Sequence, residues 1–203
     1  PNRYAMPSLE ANLELTAQTL HGAGNTIGFD LENSDFVLSF GAGLIEGWGS
    51  PVSCFKANAS RKERHAKLYQ IEPRLSNTAA SADKWIPIKP GTESDLALSL
   101  CAVIIKKNLF TGNNSETGNF KGGFNKFAIM VQREYAPEKV AEICGIKADD
   151  IEKLAVMFAR SKMPVAIPGK GRGETGQSLK EFAAVHTLNC LVGNLNQKGG
   201  AFV

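Results

Sequence analysis

No two of the four cysteines, Cys54, Cys101, Cys144 and Cys190, are spaced as Cys-x-x-Cys. A local zinc or iron–sulfur ligand motif is therefore absent from the chain. Disulfide connectivity cannot be read from spacing, and a chain of 203 residues needs no disulfide staple, so the redox compartment stays open. No apolar run reaches the roughly 20 residues of a membrane helix, and no signal-peptide pattern stands at the start, which argues against direct membrane insertion. Charge of one sign is not concentrated anywhere: 23 basic and 20 acidic residues leave a net +3, so no nucleic-acid or anionic-membrane partner is called for. Within that pattern, Arg61-Lys62-Glu63-Arg64 reads as a solvated helix end. What is present is apolar residue content of 43%, enough for the core of one α/β domain. A start on Pro1 and an end just beyond a Gly pair are what an internal piece of a longer protein would have.

Hydrophobic patterning orders the elements. Leu9, Leu13, Thr16, Ala17 and Leu20 share one face of a helix over residues 7–20, with Ser8 as its N-cap and Gly22 at its end. Asp35 to Phe40 is a continuous apolar strand followed at once by Gly41-Ala42-Gly43, where a backbone without Cβ atoms suits a phosphate. Residues 52–67 read as a basic helix leading into a second strand, Leu68 to Ile71, which completes a βαβ unit. Glu72-Pro73-Arg74 sits at the tip of that strand, where dinucleotide folds place a ribose-binding carboxylate; pairing of Glu72 with Arg74 is the plainer alternative. A third strand, Trp85 to Ile88, ends in Lys89-Pro90-Gly91-Thr92-Glu93. Thr92 is placed to cap the next helix, whose buried side is Leu96, Leu98, Leu100, Val103 and Ile104.

Residues 108–123 are rich in Gly, Asn, Ser and Thr and predict a mobile surface loop. Helices follow over 125–135, 137–143 with a stop at Gly145, and 149–160. A strand at Val165-Ala166-Ile167 then opens into a second glycine loop, Pro168-Gly169-Lys170-Gly171-Arg172-Gly173, whose two cations and following helix, 176–191, suit an anion. His186 in that helix reads as a packed residue rather than a catalytic one. In an open parallel sheet these loops all leave the carboxyl ends of strands and face one crevice. The expected class is α/β: a parallel, doubly wound, Rossmann-like sheet in a three-layer α/β/α sandwich.

Five segments carry a more specific likeness: EPR at Glu72, ADKWIPIKPGTESDLALSL, APEKVAEICGI, PVAIPGKG and LNCLVGNLNQKGGAFV. Together with the strand-GxG start they resemble the molybdopterin oxidoreductases of the dimethyl sulfoxide reductase superfamily, over nearly the whole chain. The likeness implies that residues 1–203 form a molybdopterin guanine dinucleotide-binding domain of a larger multidomain oxidoreductase carrying molybdenum or tungsten. Gly41, Ala42 and Gly43 would then approach the phosphates, with Glu46 in the same cofactor-binding set. Glu72, Pro73 and Arg74 would lie near the guanosine, and Gly91, Thr92 and Glu93 near the guanine edge. Gly169, Lys170, Gly171 and Arg172 would line the same channel. An iron–sulfur cluster elsewhere in the parent, an iron–sulfur electron-transfer subunit, a membrane anchor subunit and a periplasmic site, or else a cytoplasmic one, are implied in the same way.

Two departures from the family pattern stand out. Gly43 takes the place of an Asn common in the polysulfide and thiosulfate reductase branch. Ser8-Leu9-Glu10 takes the place of a Ser-x-Cys motif, which puts Glu10 where a metal-ligating thiolate would stand; equally, Glu10 is a first-turn acid favoured by the helix dipole. The competing reading is a metal-free, non-catalytic subunit for assembly or electron relay, like the molybdopterin-like subunit of quinone reductase complexes. An NAD-type domain would explain the βαβ unit but not PIKPGTE or the closing motif.

Overall fold

The computed structural model describes residues 9–111, 123–169 and 176–203. In chain order its elements are α1 (Leu9–His21), β1 (Gly28–Phe29), β2 (Phe36–Phe40), α2 (Pro51–Glu63), β3 (Lys67–Ile71), α3 (Asn77–Ser81), β4 (Lys84–Ile86), α4 (Glu93–Lys106), α5 (Phe124–Glu134), α6 (Pro137–Cys144), α7 (Ala148–Arg160), β5 (Pro164–Pro168), α8 (Gly176–Leu191) and β6 (Ala201–Phe202). Strands β4-β3-β2-β5 form one parallel sheet, and β1 pairs antiparallel with β6 in a small second one. The chain runs from β2 outward to β3 and β4, then crosses back through α4 to α7 to place β5 on the other side of β2. The order therefore reverses between β2 and β5, which is where open α/β sheets bind ligands.

Both faces of the sheet are buried, as parallel sheets require. Phe36, Leu38, Phe40 and Ile71 point to one face and pack on α4, α7 and α8, while Val37, Leu68, Val165 and Ile167 point to the other and pack on Trp48 and on Cys54 and Ala57 of α2. A third cluster, Leu13, Ala17, Ile27, Phe182 and Ala201, seats α1 and the small sheet against α8. The three-layer α/β/α arrangement expected from the sequence is the one observed.

Several local expectations need correcting. Helix α4 is not one-sided: Leu96 through Ile105 are all buried, because α5, α6, α7 and α8 surround it. Strand β4 stops at Ile86, and Ile88 is buried beyond it, since Pro87 has no N–H to offer the ladder. Thr92 stands at the N-cap of α4 but makes no side-chain cap; its hydroxyl donates instead to the Lys89 carbonyl at 2.7 Å. The expected Ser8 cap and residues 112–122 of the polar loop lie outside the described residues. The flanks of that loop are tied down, Phe110 against Phe124 with ring centroids 5.2 Å apart and Thr111 N–H to the Leu191 carbonyl at 3.0 Å.

Arg61 is the largest departure from the expected solvated helix end. It is buried, and its guanidinium donates to the Ala66 carbonyl at 3.1 Å, to Asn58 Oδ1, and to Asp83 Oδ2 at 2.5 Å. Asp83 Oδ2 also accepts the Leu68 N–H at 2.7 Å, so this pair fixes the start of β3 against the approach to β4. Removing one partner of a fully buried pair costs about 3–5 kcal/mol, and exposed pairs about 0–1. Asp83 is 46% exposed, so Asp83→Ala is expected to cost about 2 kcal/mol between those limits, read as a shifted urea midpoint with an unchanged slope.

Candidate functional site

Strand register brings the predicted loops into one row. Phe40 lies beside Ile71 and Pro168, and Ile71 beside Ile86, so Gly41, Glu72, Pro87 and Gly169 leave the sheet at the same edge. The β2 loop is bound from below. Ala42 N–H donates to Ser39 Oγ at 3.2 Å, its carbonyl accepts Gln70 Nε2 at 3.2 Å, and the Gly43 carbonyl accepts the N–H groups of Glu46 and Trp48. Gly41 adopts φ +74°, and a Cβ added there would meet nothing within 4 Å, so it fronts open space. Its counterpart Gly169 is closed in: a Cβ there would lie 2.7 Å from the Phe40 carbonyl oxygen and 3.2 Å from that of Gly41. Trp48 Nε1 donates to the Pro168 carbonyl at 3.0 Å and joins the two loops across the β2/β5 switch point.

Glu46 is exposed at the same edge. Its partial desolvation, which raises the carboxyl pKa, is outweighed by the Thr78 hydroxyl at 3.1 Å, by the Thr78 and Asn77 backbone and by the Arg74 charge, so Glu46 titrates below the ordinary carboxylate range. Arg74 is exposed, and its charge acts on Glu46. Glu72 is buried, and its Oε1 accepts the Ser76 N–H at 3.3 Å and the Ser76 hydroxyl, while its carbonyl accepts Trp85 Nε1 at 3.0 Å. No ion pair joins Glu72 to Arg74 among the described residues.

On the third loop, Gly91 has φ +86°, and Glu93 and Asp95 occupy the first turn of α4. Sequence reasoning missed two supports here. Lys180 of α8 donates to Asp95 Oδ1 at 2.9 Å and lies 5.4 Å from the Tyr135 ring centroid; desolvation lowers its pKa, but the Asp95 hydrogen bond and charge raise it further, for a net upward shift. The Lys89 N–H donates to the Cys144 carbonyl, so the end of α6 clamps the turn, and burial pushes the Cys144 thiol pKa up. A pairing across 85 residues leaves no local signal.

Lys170, Gly171 and Arg172 lie outside the described residues. Glu10 is exposed in the first turn of α1 and lines a cavity of about 330 Å³ with Leu9, Leu13, Phe29, Trp48 and Cys54. Among the described residues it belongs to no three-donor cluster, and that arrangement occurs there at His21, His186 and Cys190. His186 is packed, as expected from its place in α8.

Residues 2–203 match the family model described as molybdopterin oxidoreductase. The chain is 36% identical over 201 residues to the menaquinone reductase molybdopterin-binding-like subunit of Nitratidesulfovibrio vulgaris, covering 97% of this chain and 28% of the relative. It is 32% identical over 196 residues to the arsenate respiratory reductase molybdopterin-containing subunit of a Shewanella species, covering 86% and 23%. Among solved structures, acetylene hydratase from Pelobacter acetylenicus superposes with a TM-score of 0.73 at 27% identity, covering 94% of this chain and 25% of that one. The chain spans about a quarter of the length of each of these relatives. It belongs to the molybdopterin oxidoreductase family.

Proposed function

We propose that this chain is the domain that seats one molybdopterin guanine dinucleotide along the carboxyl edge of its sheet, within a longer molybdenum or tungsten oxidoreductase that exchanges electrons with an iron–sulfur partner. The observation that carries the reading is the pair of glycine exits at the switch point, Gly41 fronting open space and Gly169 so close that its Cβ would lie 2.7 Å from the Phe40 carbonyl oxygen. Such a cradle fits a group that must lie against bare backbone.

The donor and acceptor sets divide along the edge. Phosphate suits the glycine exit of β2, with Arg74 as a nearby cation. The α4 N-terminus carries Glu93 and Asp95, which repel phosphate but accept the ring N–H and amino group of guanine. Glu93, the first residue of α4 after the Gly91 turn, is assigned the guanine edge. When bound, the cofactor supplies two-electron redox chemistry at its metal; the chain's part is to bind and orient it. Glu10, beside the Trp48-lined cavity, is kept as the candidate carboxylate ligand to that metal.

Glu93→Ala in the protein that carries this chain is expected to lower retained pterin by about 10- to 150-fold, the equivalent of losing a charged hydrogen-bond partner worth about 1.5–3 kcal/mol. The exposed Glu138→Ala should leave retention unchanged, and equal retention by both variants would remove Glu93 from the site. Metal analysis of Glu10→Ala separates its role, since loss of molybdenum or tungsten with pterin intact is the outcome a ligand predicts.

A further inference from the structure

Away from the carboxyl edge, α1 and α8 meet at three donor side chains. His186 and Cys190 are four residues apart and so share one face of α8, and His21 comes from the last turn of α1. Their ligand atoms all lie within 4.8 Å of one another; His186 and Cys190 are buried and His21 is half-buried. Two of the chain's three histidines thus face each other, Nε2 to Nε2 at 2.7 Å, with the rings edge-on at 87°. Only one of those nitrogens can carry the shared proton. His186 Nδ1 is then a second problem, because it is buried with no partner among the described residues, whereas buried polar atoms normally have one.

We propose that His21, His186 and Cys190 form a zinc-class metal site, with three protein ligands and one position left for water on the His21 side. Imidazole and thiolate are the donors zinc takes, and three ligands with an open fourth position is a familiar zinc arrangement. Bond lengths of about 2.0–2.3 Å set tetrahedral ligand separations of about 3.3–3.6 Å, so the histidine pair must open and the widest donor separation close by about 1 Å. Coordination through His186 Nδ1 would satisfy that atom, with His21 released from its contact with His186 Nε2 to reach the ion. One divalent ion enters and one proton leaves the Cys190 thiol to solvent, which leaves the site at net +1. Without the ion, burial holds both buried donors uncharged: the Cys190 thiol is pushed up to about 12, and His186, by burial and then by the His21 charge, down to about 3. Asn189, between the two α8 ligands, bonds the Ala166 backbone at 2.8 Å twice and so holds that face of the helix in place. The ion would lock α1, which carries Glu10, onto α8.

The site is independent of the cofactor reading, and the assay keeps them apart because zinc, molybdenum and tungsten are counted separately. The full-length protein, purified without a histidine tag and dialysed against a weak chelator, should retain about one more zinc per chain than its His21→Gln/Cys190→Ser variant. Cobalt loading should give a near-ultraviolet thiolate-to-metal charge-transfer band in the wild type that Cys190→Ser lacks. Circular dichroism checks that the variants fold; should they not, the wild-type cobalt spectrum decides alone. Equal zinc in wild type and double variant, or a wild type that takes cobalt with no thiolate band, would overturn the proposal.

Discussion

Replacing Asn189 with leucine is expected to lower the unfolding free energy by about 2–6 kcal/mol, because it orphans two buried backbone groups at about 1–3 kcal/mol each. The asparagine is fully buried; its Oδ1 accepts the Ala166 N–H and its Nδ2 donates to the Ala166 carbonyl, both at 2.8 Å. Leucine keeps the branch at Cγ but is larger, so no cavity forms and the loss reports the hydrogen bonds together with overpacking. These bonds matter because β5 is an edge strand, and an unpaired edge is a template for pairing with other chains. Its outward side is closed residue by residue. Asn194 Nδ2 donates to the Pro164 carbonyl, Asn189 takes both groups of Ala166, and Trp48 takes the Pro168 carbonyl. Gly200 lets the closing segment approach Asn194 so tightly that an added Cβ would lie 2.1 Å from the Asn194 carbonyl oxygen. The closing motif is thus the seal on a sheet edge. Urea unfolding measures the stability loss, and amide exchange locates it at Ala166 N–H. A loss below about 1 kcal/mol would mean that water or a backbone shift replaces the asparagine.

Part of that seal was legible in the sequence. Prolines 164 and 168 stand four positions apart, so their missing N–H groups fall on one side of a strand, and only an edge strand tolerates that. Reading Val165 to Ile167 as a strand was correct, but the flanking prolines already said which strand in the sheet it was. The glycine loops, the βαβ unit and the helix ends were legible because each depends on residues close in the chain: Gly145, for example, ends α6 at φ +79° where its position after Cys144 predicts a left-handed cap. Burial all round α4 was not, since Ser94 and Ser99 interrupt its apolar pattern and only tertiary packing covers them. Arg61 failed for the same reason. Its neighbours in sequence are charged and solvated, while its partner Asp83 is 22 residues away. At the site, the row of loop exits followed from strand order, but the engagement of Glu72 with Ser76 did not. Four residues of polar loop permit either an inward or an outward carboxylate, and the N-terminus of α3 selected the inward one.

Gly169→Ala is expected to reduce cofactor retention by about 5- to 150-fold while the fold persists. The alanine Cβ would sit 2.7 Å from the Phe40 carbonyl oxygen, closer than a real Cβ stands to backbone, and a tight 3.2 Å from that of Gly41. Neither neighbour is a flexible side chain. Phe40 is held in the ladder by both β3 and β5, and the loop after Gly41 is anchored by Ser39, Gln70 and Trp48, so the two strand exits must part. Overpacking of this kind costs about 1–3 kcal/mol, and where the free protein relieves it by letting the exits part, the cost returns on binding as affinity at 1.4 kcal/mol per factor of ten. Gly41→Ala makes the useful contrast. Its Cβ would enter open space, and its cost is the left-handed φ of +74°, about 1–2 kcal/mol, borne by the fold whether or not a ligand is present. Pterin content after oxidation and thermal unfolding of cofactor-free protein should therefore separate the two variants. Gly169→Ala should lose mainly pterin, and Gly41→Ala mainly stability. Full pterin content in Gly169→Ala would place the dinucleotide elsewhere than the β2/β5 crevice.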